Sequence, residues 1–442
     1  MTLREHYRKN FALAWPVVVG QLGHITVGLA DSIMIGKLGT IPLAAGAFAN
    51  SVFIVPMVFG MGVTFGLTPL VANADGQNKS ALAHSYFWHG LLLNTLMALA
   101  LVGFLAGFVP FTERLDQEPT VLALADPYLL ILAFSLFPLM LFFTFKQYAE
   151  GLSLTRFAMA VSIGVNFFNV FLNWVFIYGN LGFPALGLNG AGYATLIARL
   201  LMALIMAFYI YRKVSIKPVY PARWLRKRLA ALWKLGAPTG LQYIFEVSTF
   251  AIAAVMMGWL SAEALAAHQI AISLASVSYM AASGIGAAAT VRVGNQLGAQ
   301  QYFSMRRAAH TCFVMTLALM AVAGIIFWLG RNWLPTFYTS DEAVLALASQ
   351  LLLIAVFFQL FDGMQATALG ALRGMAETRV PTVITFFSYW VVGLSVAYGL
   401  GIALQWGALG IWFGLALGLV VASILLFWRF ERQSGKFIHE NS

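Results

Sequence analysis

Residues 31–45 read D-S-I-M-I-G-K-L-G-T-I-P-L-A-A, and residues 253–267 read A-A-V-M-M-G-W-L-S-A-E-A-L-A-A. At this offset of 222, Gly36 falls on Gly258, Leu38 on Leu260, and Leu43-Ala44-Ala45 on Leu265-Ala266-Ala267. The register extends outward, with Pro16 on Pro238, Ser51 on Ser273, Gly62 on Gly284 and Gly76 on Gly298. After a one-residue slip it resumes, and Gly151, Thr155 and Arg156 fall on Gly374, Thr378 and Arg379 in two segments of the form G-x-x-x-T-R. Chance rarely holds one register that long, so the chain is a duplicated unit.

The composition says where each copy resides. Of 442 residues, 61% are hydrophobic and 10% charged, against about 25% charged in a soluble domain. At a mean hydropathy of +0.83, soluble domains would leave more apolar surface than their interiors could bury, and the surplus must face lipid. Apolar runs bounded by charge, Gly and Pro predict twelve spans, at roughly 11–36, 44–72, 84–108, 124–148, 158–178, 189–212, 232–258, 266–290, 306–330, 346–370, 381–402 and 407–429. The expected fold is an all-α integral membrane protein of two six-helix lobes, 1–212 and 232–442, joined by a basic cytoplasmic linker at 213–231. Six is even, so both copies enter from the same side and the repeats are parallel. Little chain is left for a soluble catalytic module.

Lys and Arg number 26 against 16 Asp and Glu, a formal net charge of +10. With a cytoplasmic N-terminus, 22 of the 26 basic residues fall in inside segments, Arg373 and Arg379 among them. The outside segments hold Lys37, Arg114 and Arg331, and Arg199 lies inside a span. The positive-inside rule therefore puts both termini in the cytoplasm of a cell (inner) membrane, and the basic balance is orientation rather than nucleic-acid binding. The single cysteine, Cys312, has no partner for a disulfide and reads as packing. No signal-peptide cleavage pattern follows Arg4, Arg8 and Lys9, so the first apolar segment is expected to remain as a helix. No phosphate-binding glycine loop, zinc motif or nucleophile elbow is present; ATP-driven transport and enzymatic chemistry are disfavoured and no cofactor is expected.

Three acids, Asp31, Glu246 and Asp362, fall inside predicted spans. A charge there costs at least about 2.5 kcal/mol and marks an ion path or binding site by default. From their distances to the outer ends of their helices, Glu246 and Asp362 lie at depths that agree within roughly 6 Å, so they could share one site. Polar side chains gather at helical spacing around them: Gln242, Glu246 and Thr249; Gln359 and Asp362; Gln269, Ser273, Ser276 and Tyr279. Such hard oxygen ligands suit an alkali or alkaline-earth cation, and no His or Cys cluster offers a transition-metal site. A proton can replace the cation on the carboxylates, so Na+ and H+ both remain open as coupling ions.

In the first lobe, Asp31 shares a helix face with His24, and helix 5 presents Ser162, Asn166, Asn169 and Asn173 on one face. On the repeat register Asp31 meets Ala253, Glu246 meets His24 and Asp362 meets Leu139. The acids break the symmetry that the glycines keep, which predicts two unlike sites. The glycines themselves read as permitting close helix approach.

Across nearly its whole length the chain resembles the multidrug and toxic compound extrusion (MATE) transporters, within their NorM-like branch. The resemblance rests on L-A-D-S-I-M-I-G-K-L-G at 29–39, Pro16, Glu150-Gly151, Thr155-Arg156 and A-L-R-G-M-A-E-T-R-V-P at 371–381. It implies two six-helix bundles in a V around a central cavity, and a Na+ or H+ site on Glu246, Asp362 and Tyr279. It also implies a first-lobe cation or proton site on Asp31, Asn169, Asn173 and Thr195, where many relatives have Asp in place of Asn173. Substrate contacts would map onto Asp31, Ser51, Gln269, Asp341 and Glu342. The implied function is a monomeric, cation-coupled antiporter that exports amphipathic, mostly cationic aromatic compounds by alternating access. The alternatives are a lipid-linked oligosaccharide flippase of the same superfamily, a passive channel or an integral membrane enzyme.

Overall fold

The computed structural model describes residues 1–115, 117–214 and 226–440, and the side chains of His24 and Ile25 lie outside the described residues. The same holds for most of the basic linker expected at 213–231 and for Asp116. Among the described residues, twelve helices are long and apolar enough to cross a membrane. They are α1 Leu3–Gly36, α2 Thr40–Gly76, α3 Ser80–Leu115, α4 Pro119–Gly151, α5 Thr155–Tyr178 and α6 Gly187–Val214, then α7 Arg226–Leu260, α8 Ala262–Gly298, α9 Tyr302–Gly330, α10 Glu342–Gly374, α11 Arg379–Ala403 and α12 Gly407–His439. All twelve expected spans are present. Most extend beyond the apolar run that announced them, because a hydropathy window ends at the first charges whereas backbone hydrogen bonding continues through them.

Large apolar side chains such as Phe104, Leu204, Ile326 and Phe357 stand exposed on the helix surfaces. In water that pattern would be an aggregation hazard, and in a bilayer it is the surface that lipid solvates.

The chain forms two compact units. One comprises Val19–Gly240, the other Met1–Val18 with Leu241–Ser442. These bounds differ from the lobes read off the sequence at both ends: the first turns of α1 pack with the second unit, and the first turns of α7 with the first unit. The glycines show why. A Cβ on Gly62 would lie 2.5 Å from Cα of Gly240, and a Cβ on its repeat partner Gly284 would lie 2.5 Å from a methyl of Val18. Position 18 is the repeat equivalent of position 240, so one helix crossing, closed by one small residue, recurs in both units.

The G-x-x-x-T-R glycines form a second duplicated contact. A Cβ on Gly151 would meet the carbonyl oxygen of Thr68 at 3.1 Å and Val71 at 2.8 Å; one on Gly374 would meet the carbonyl oxygen of Thr290 at 2.7 Å and Val293 at 2.8 Å. Thr68 and Thr290, like Val71 and Val293, are equivalent positions. The expectation of close helix approach therefore holds for this pair in atomic detail.

In the second unit Asn10 donates to the carbonyl of Ala308 at 2.9 Å and to Thr311 Oγ1 at 2.7 Å, and accepts from Arg292 Nε at 3.1 Å. These bonds fasten the start of α1 among α8 and α9. Cys312 is fully buried beside them. Departing from regular α geometry, α11 is π-helical over Phe387–Leu394 and Gly399–Ala403. Such widened turns occur often at functional positions, and Tyr389 is buried within the first of them.

Candidate functional site

The second unit gathers its two intramembrane acids. Glu246 on α7 and Asp362 on α10 are 8% and 5% exposed and lie within electrostatic range of each other. From α8, the hydroxyl of Tyr279 donates to the Glu246 carboxylate. Three helices thus supply the predicted set Glu246, Asp362 and Tyr279, which the structure brings together.

The rest of the polar stripe divides. Ser273 Oγ and Ser276 Oγ bond back to the carbonyls of Gln269 and Ile272 on their own helix, at 2.6 and 2.7 Å, and Thr249 does the same to Phe245 at 2.7 Å. These hydroxyls serve the helix backbone. Gln242 donates to the carbonyl of Thr378 at 3.3 Å, tying α7 to the segment that precedes α11. Gln359 is 1% exposed, and neither atom of its carboxamide has a hydrogen-bond partner.

Two residues near the acids escaped the sequence reading. Arg373, counted there as a cytoplasmic charge, is hydrogen bonded to Tyr243 and acts electrostatically on Glu246. It lies eleven residues after Asp362 on α10, three helical turns along the same stripe, which was the available signal. Tyr389 is the other. Its hydroxyl donates to Gln365 Oε1 at 2.6 Å, and it lies within electrostatic range of both carboxylates. It lies in the π-helical stretch of α11, a register that no sequence periodicity announces.

The first unit holds a different chamber. Asn173 on α5 donates to Asp31 on α1 and, at 3.4 Å, to Asn169 Oδ1. Within the Asn stripe, Asn173 ties α5 to α1 and partners the acid, whereas Asn166 Nδ2 has no hydrogen-bond partner. Thr195 is half-buried on the same face of α6 as Arg199, one turn earlier. Arg199 donates to Ser135 Oγ at 2.6 Å, and its guanidinium carbon lies 5.2 Å from the ring centroid of Phe53. It acts electrostatically on Asp31 and on Tyr128, and Tyr128 is hydrogen bonded to Asn50.

The expected substrate contacts are dispersed. Ser51 is exposed on α2, its hydroxyl bonded to the carbonyl of Ala47 at 2.9 Å, and Gln269 is exposed on α8. Asp341 accepts from the backbone N–H groups of Ala343 and Val344 at 2.9 and 3.2 Å, which makes it the N-cap of α10. Glu342 follows it, exposed in the first turn, where an acid also complements the helix dipole. Among the described residues no cluster of three His, Cys, Asp or Glu that could hold a metal ion is present. Two carboxylates and a phenol are hard oxygen groups of the kind that bind alkali or alkaline-earth cations.

Comparison with known proteins places this arrangement. The MatE family model matches residues 16–175 and again 238–399, one match per repeat. The chain is 33% identical over 441 residues to the probable multidrug resistance protein NorM of Mesorhizobium japonicum, covering 97% of this chain and 94% of that one. It is 32% identical to the multidrug resistance protein NorM of Photobacterium profundum, covering 96% and 95%. Among solved structures, a Vibrio cholerae MATE transporter, VcmN in its bent form, superposes with a TM-score of 0.90 at 19% identity over 98% of both chains. The eukaryotic MATE transporter AtDTX14 does so with a TM-score of 0.88 at 20% identity over 99% of both. Twelve spans in two copies, the glycine-packed repeat contacts and full-length kinship all agree: the chain belongs to the MatE family.

Proposed function

We propose that this transporter is a cation-coupled multidrug efflux antiporter, embedded in a cell (inner) membrane with both termini cytoplasmic. It exports amphipathic, mostly cationic aromatic compounds. The relatives called multidrug resistance proteins support the export of drugs. The observation that carries the coupling is the burial of Glu246 and Asp362 within electrostatic range of each other, with the guanidinium of Arg373 acting on Glu246.

Charge arithmetic gives that observation its meaning. Two carboxylates and one guanidinium leave a net charge of minus one in a medium where uncompensated charge is costly. One Na+ or one H+ neutralises it. The hydroxyl of Tyr279 would then contribute a neutral oxygen to a Na+ ion. Loading the site changes how α7, α8 and α10 hold one another, and drug affinity falls in the loaded state. The ion is released on the cytoplasmic side, moving down its gradient with about 2.3 kcal/mol per charge per 100 mV of membrane potential. Ion and drug compete through conformation and need not touch. Only a differential affinity of the ion for the two conformations can drive the cycle.

The test is efflux of a fluorescent organic cation from proteoliposomes under a Na+ gradient or a pH gradient imposed separately. Uphill export under the Na+ gradient alone, lost in Asp362→Asn, supports Na+ coupling at these carboxylates. Export under the pH gradient alone makes them proton carriers. Full activity of both Glu246→Gln and Asp362→Asn would sink the site.

A further inference from the structure

On α10 the acid Asp362 has a glutamine one turn to either side, Gln359 and Gln365, and all three side chains are buried. Residues three apart on a helix are neighbours, with Cβ atoms about 5–6 Å apart, so both carboxamides stand beside the carboxylate. They differ in what they already hold. Gln365 Oε1 accepts from the hydroxyl of Tyr389 at 2.6 Å. Gln359 holds nothing: its Nε2 and Oε1 are both buried without a hydrogen-bond partner. A whole carboxamide taken out of water and left unpaired is a cost to folding, which a native structure carries where a ligand claims the group.

The scaffold does not require it. In the first unit α4 is the repeat equivalent of α10, and it carries Leu136, Leu139 and Phe142 where α10 carries Gln359, Asp362 and Gln365, all of them buried. The same helix face therefore closes with apolar side chains alone. Against Gln359, α9 presents Gly324, where an added Cβ would lie 3.2 Å from Gln359 Nε2. The equivalent position in the first unit is Val102. The second unit thus gives up apolar packing on two helices and keeps an unpaired amide one turn from an acid.

We propose that Gln359 is a further ligand of the coupling cation at Glu246 and Asp362, through its carboxamide oxygen, and that this cation is Na+. The proposal rests on the coupling reading above. A proton is held by a single carboxylate oxygen, whereas a hard cation collects several oxygens at once, amide carbonyls among them. Beside the two carboxylates and the hydroxyl of Tyr279, Gln359 Oε1 adds a second neutral oxygen. The terminal torsion of a glutamine is broad, so the oxygen turns toward the ion without a change of rotamer elsewhere.

The experiment pairs equilibrium binding of 22Na+ to purified, detergent-solubilised protein with thermal unfolding in the absence of Na+. Gln359→Met, nearly isosteric, should raise the half-saturating Na+ concentration about tenfold or more, the loss expected for one polar contact to a charge. Its thermal midpoint without Na+ should stay level or rise, because no hydrogen bond within the protein is lost. Gln359→Leu, the residue type of the first unit, gives the same test if the Met variant fails to fold. Unchanged Na+ affinity in a folded variant, or a lowered midpoint in Gln359→Met showing that the amide serves the fold, would overturn the proposal. So would an unsubstituted protein that binds no Na+ and exports under a pH gradient alone, which leaves the carboxylates as proton carriers. Failure of the carboxylate site itself reads differently: 22Na+ binding then survives Asp362→Asn.

Discussion

The two units share a scaffold and differ in their charges. Gly151 against Thr68 and Val71 is the same contact as Gly374 against Thr290 and Val293, and Gly62 at position 240 the same as Gly284 at position 18. Yet one unit holds Asp31 within electrostatic range of Arg199, and the other holds Glu246 within range of both Asp362 and Arg373. The lesson concerns what duplication preserves. A backbone approach between helices tolerates no added atom, so both copies keep it. A polar chamber tolerates substitution provided its net charge stays affordable in low dielectric, so the copies diverge there.

The most severe way to break the comparison is to remove the second unit's imbalance. Glu246→Gln and Asp362→Asn should each reduce ion-driven efflux to the background of empty liposomes while the protein still elutes as a folded species. Asp31→Asn should impair export too, for another reason: it removes the carboxylate that accepts from Asn173 and ties α1 to α5. Normal turnover of several cationic substrates by this variant would make Asp31 a structural residue.

A sharper test transplants the imbalance. Asn173→Asp would place a second carboxylate beside Asp31 and give the first unit two acids and one guanidinium, as in the second unit. That variant should bind one Na+ more than the unsubstituted chain in a 22Na+ assay, and unchanged binding would show that net charge alone does not make the site. In the second unit, Arg373→Met should lower the half-saturating cation concentration, by about tenfold for each 1.4 kcal/mol of repulsion removed.

The shared scaffold predicts equal effects. Gly151→Val and Gly374→Val overfill equivalent contacts, and each should destabilise its unit by roughly 1–3 kcal/mol, visible as similar drops in thermal midpoint. Unequal drops would mean that the copies have drifted in packing as well as in charge. The smallest effect belongs to Asp341→Ala, which removes the N-cap of α10 at a cost of about 0.5–2 kcal/mol. If capping is all that Asp341 does, the half-saturating drug concentration stays where it was. A raised value would add the substrate role implied by family resemblance.

How far the chain was legible depends on the kind of energy involved. Asp31, Glu246 and Asp362 declared themselves because a charge in an apolar run is conspicuous without any partner in view. Arg373 did not, since at the end of a span it reads as one more positive-inside charge, and only packing shows its head group returning to Tyr243 and Glu246. Gln269, Ser273 and Ser276 looked like one functional stripe, but a serine in a helix can satisfy its hydroxyl on the preceding turn, and these two do. Asp341, a substrate contact by resemblance alone, caps the start of α10.

The sequence by itself determined the twelve spans, the duplication and the acids that membrane insertion makes expensive. Transfer from water to lipid is summed residue by residue, and a repeat is a matter of register alone. Tertiary structure alone decided that Met1–Val18 packs with Leu241–Ser442 and that α11 winds as a π-helix over Phe387–Leu394, placing Tyr389 beside the acids. It alone decided which arginine answers which carboxylate. Those outcomes depend on which turns of distant helices meet, and the free energy of such a meeting belongs to both partners and is written in neither one's local sequence.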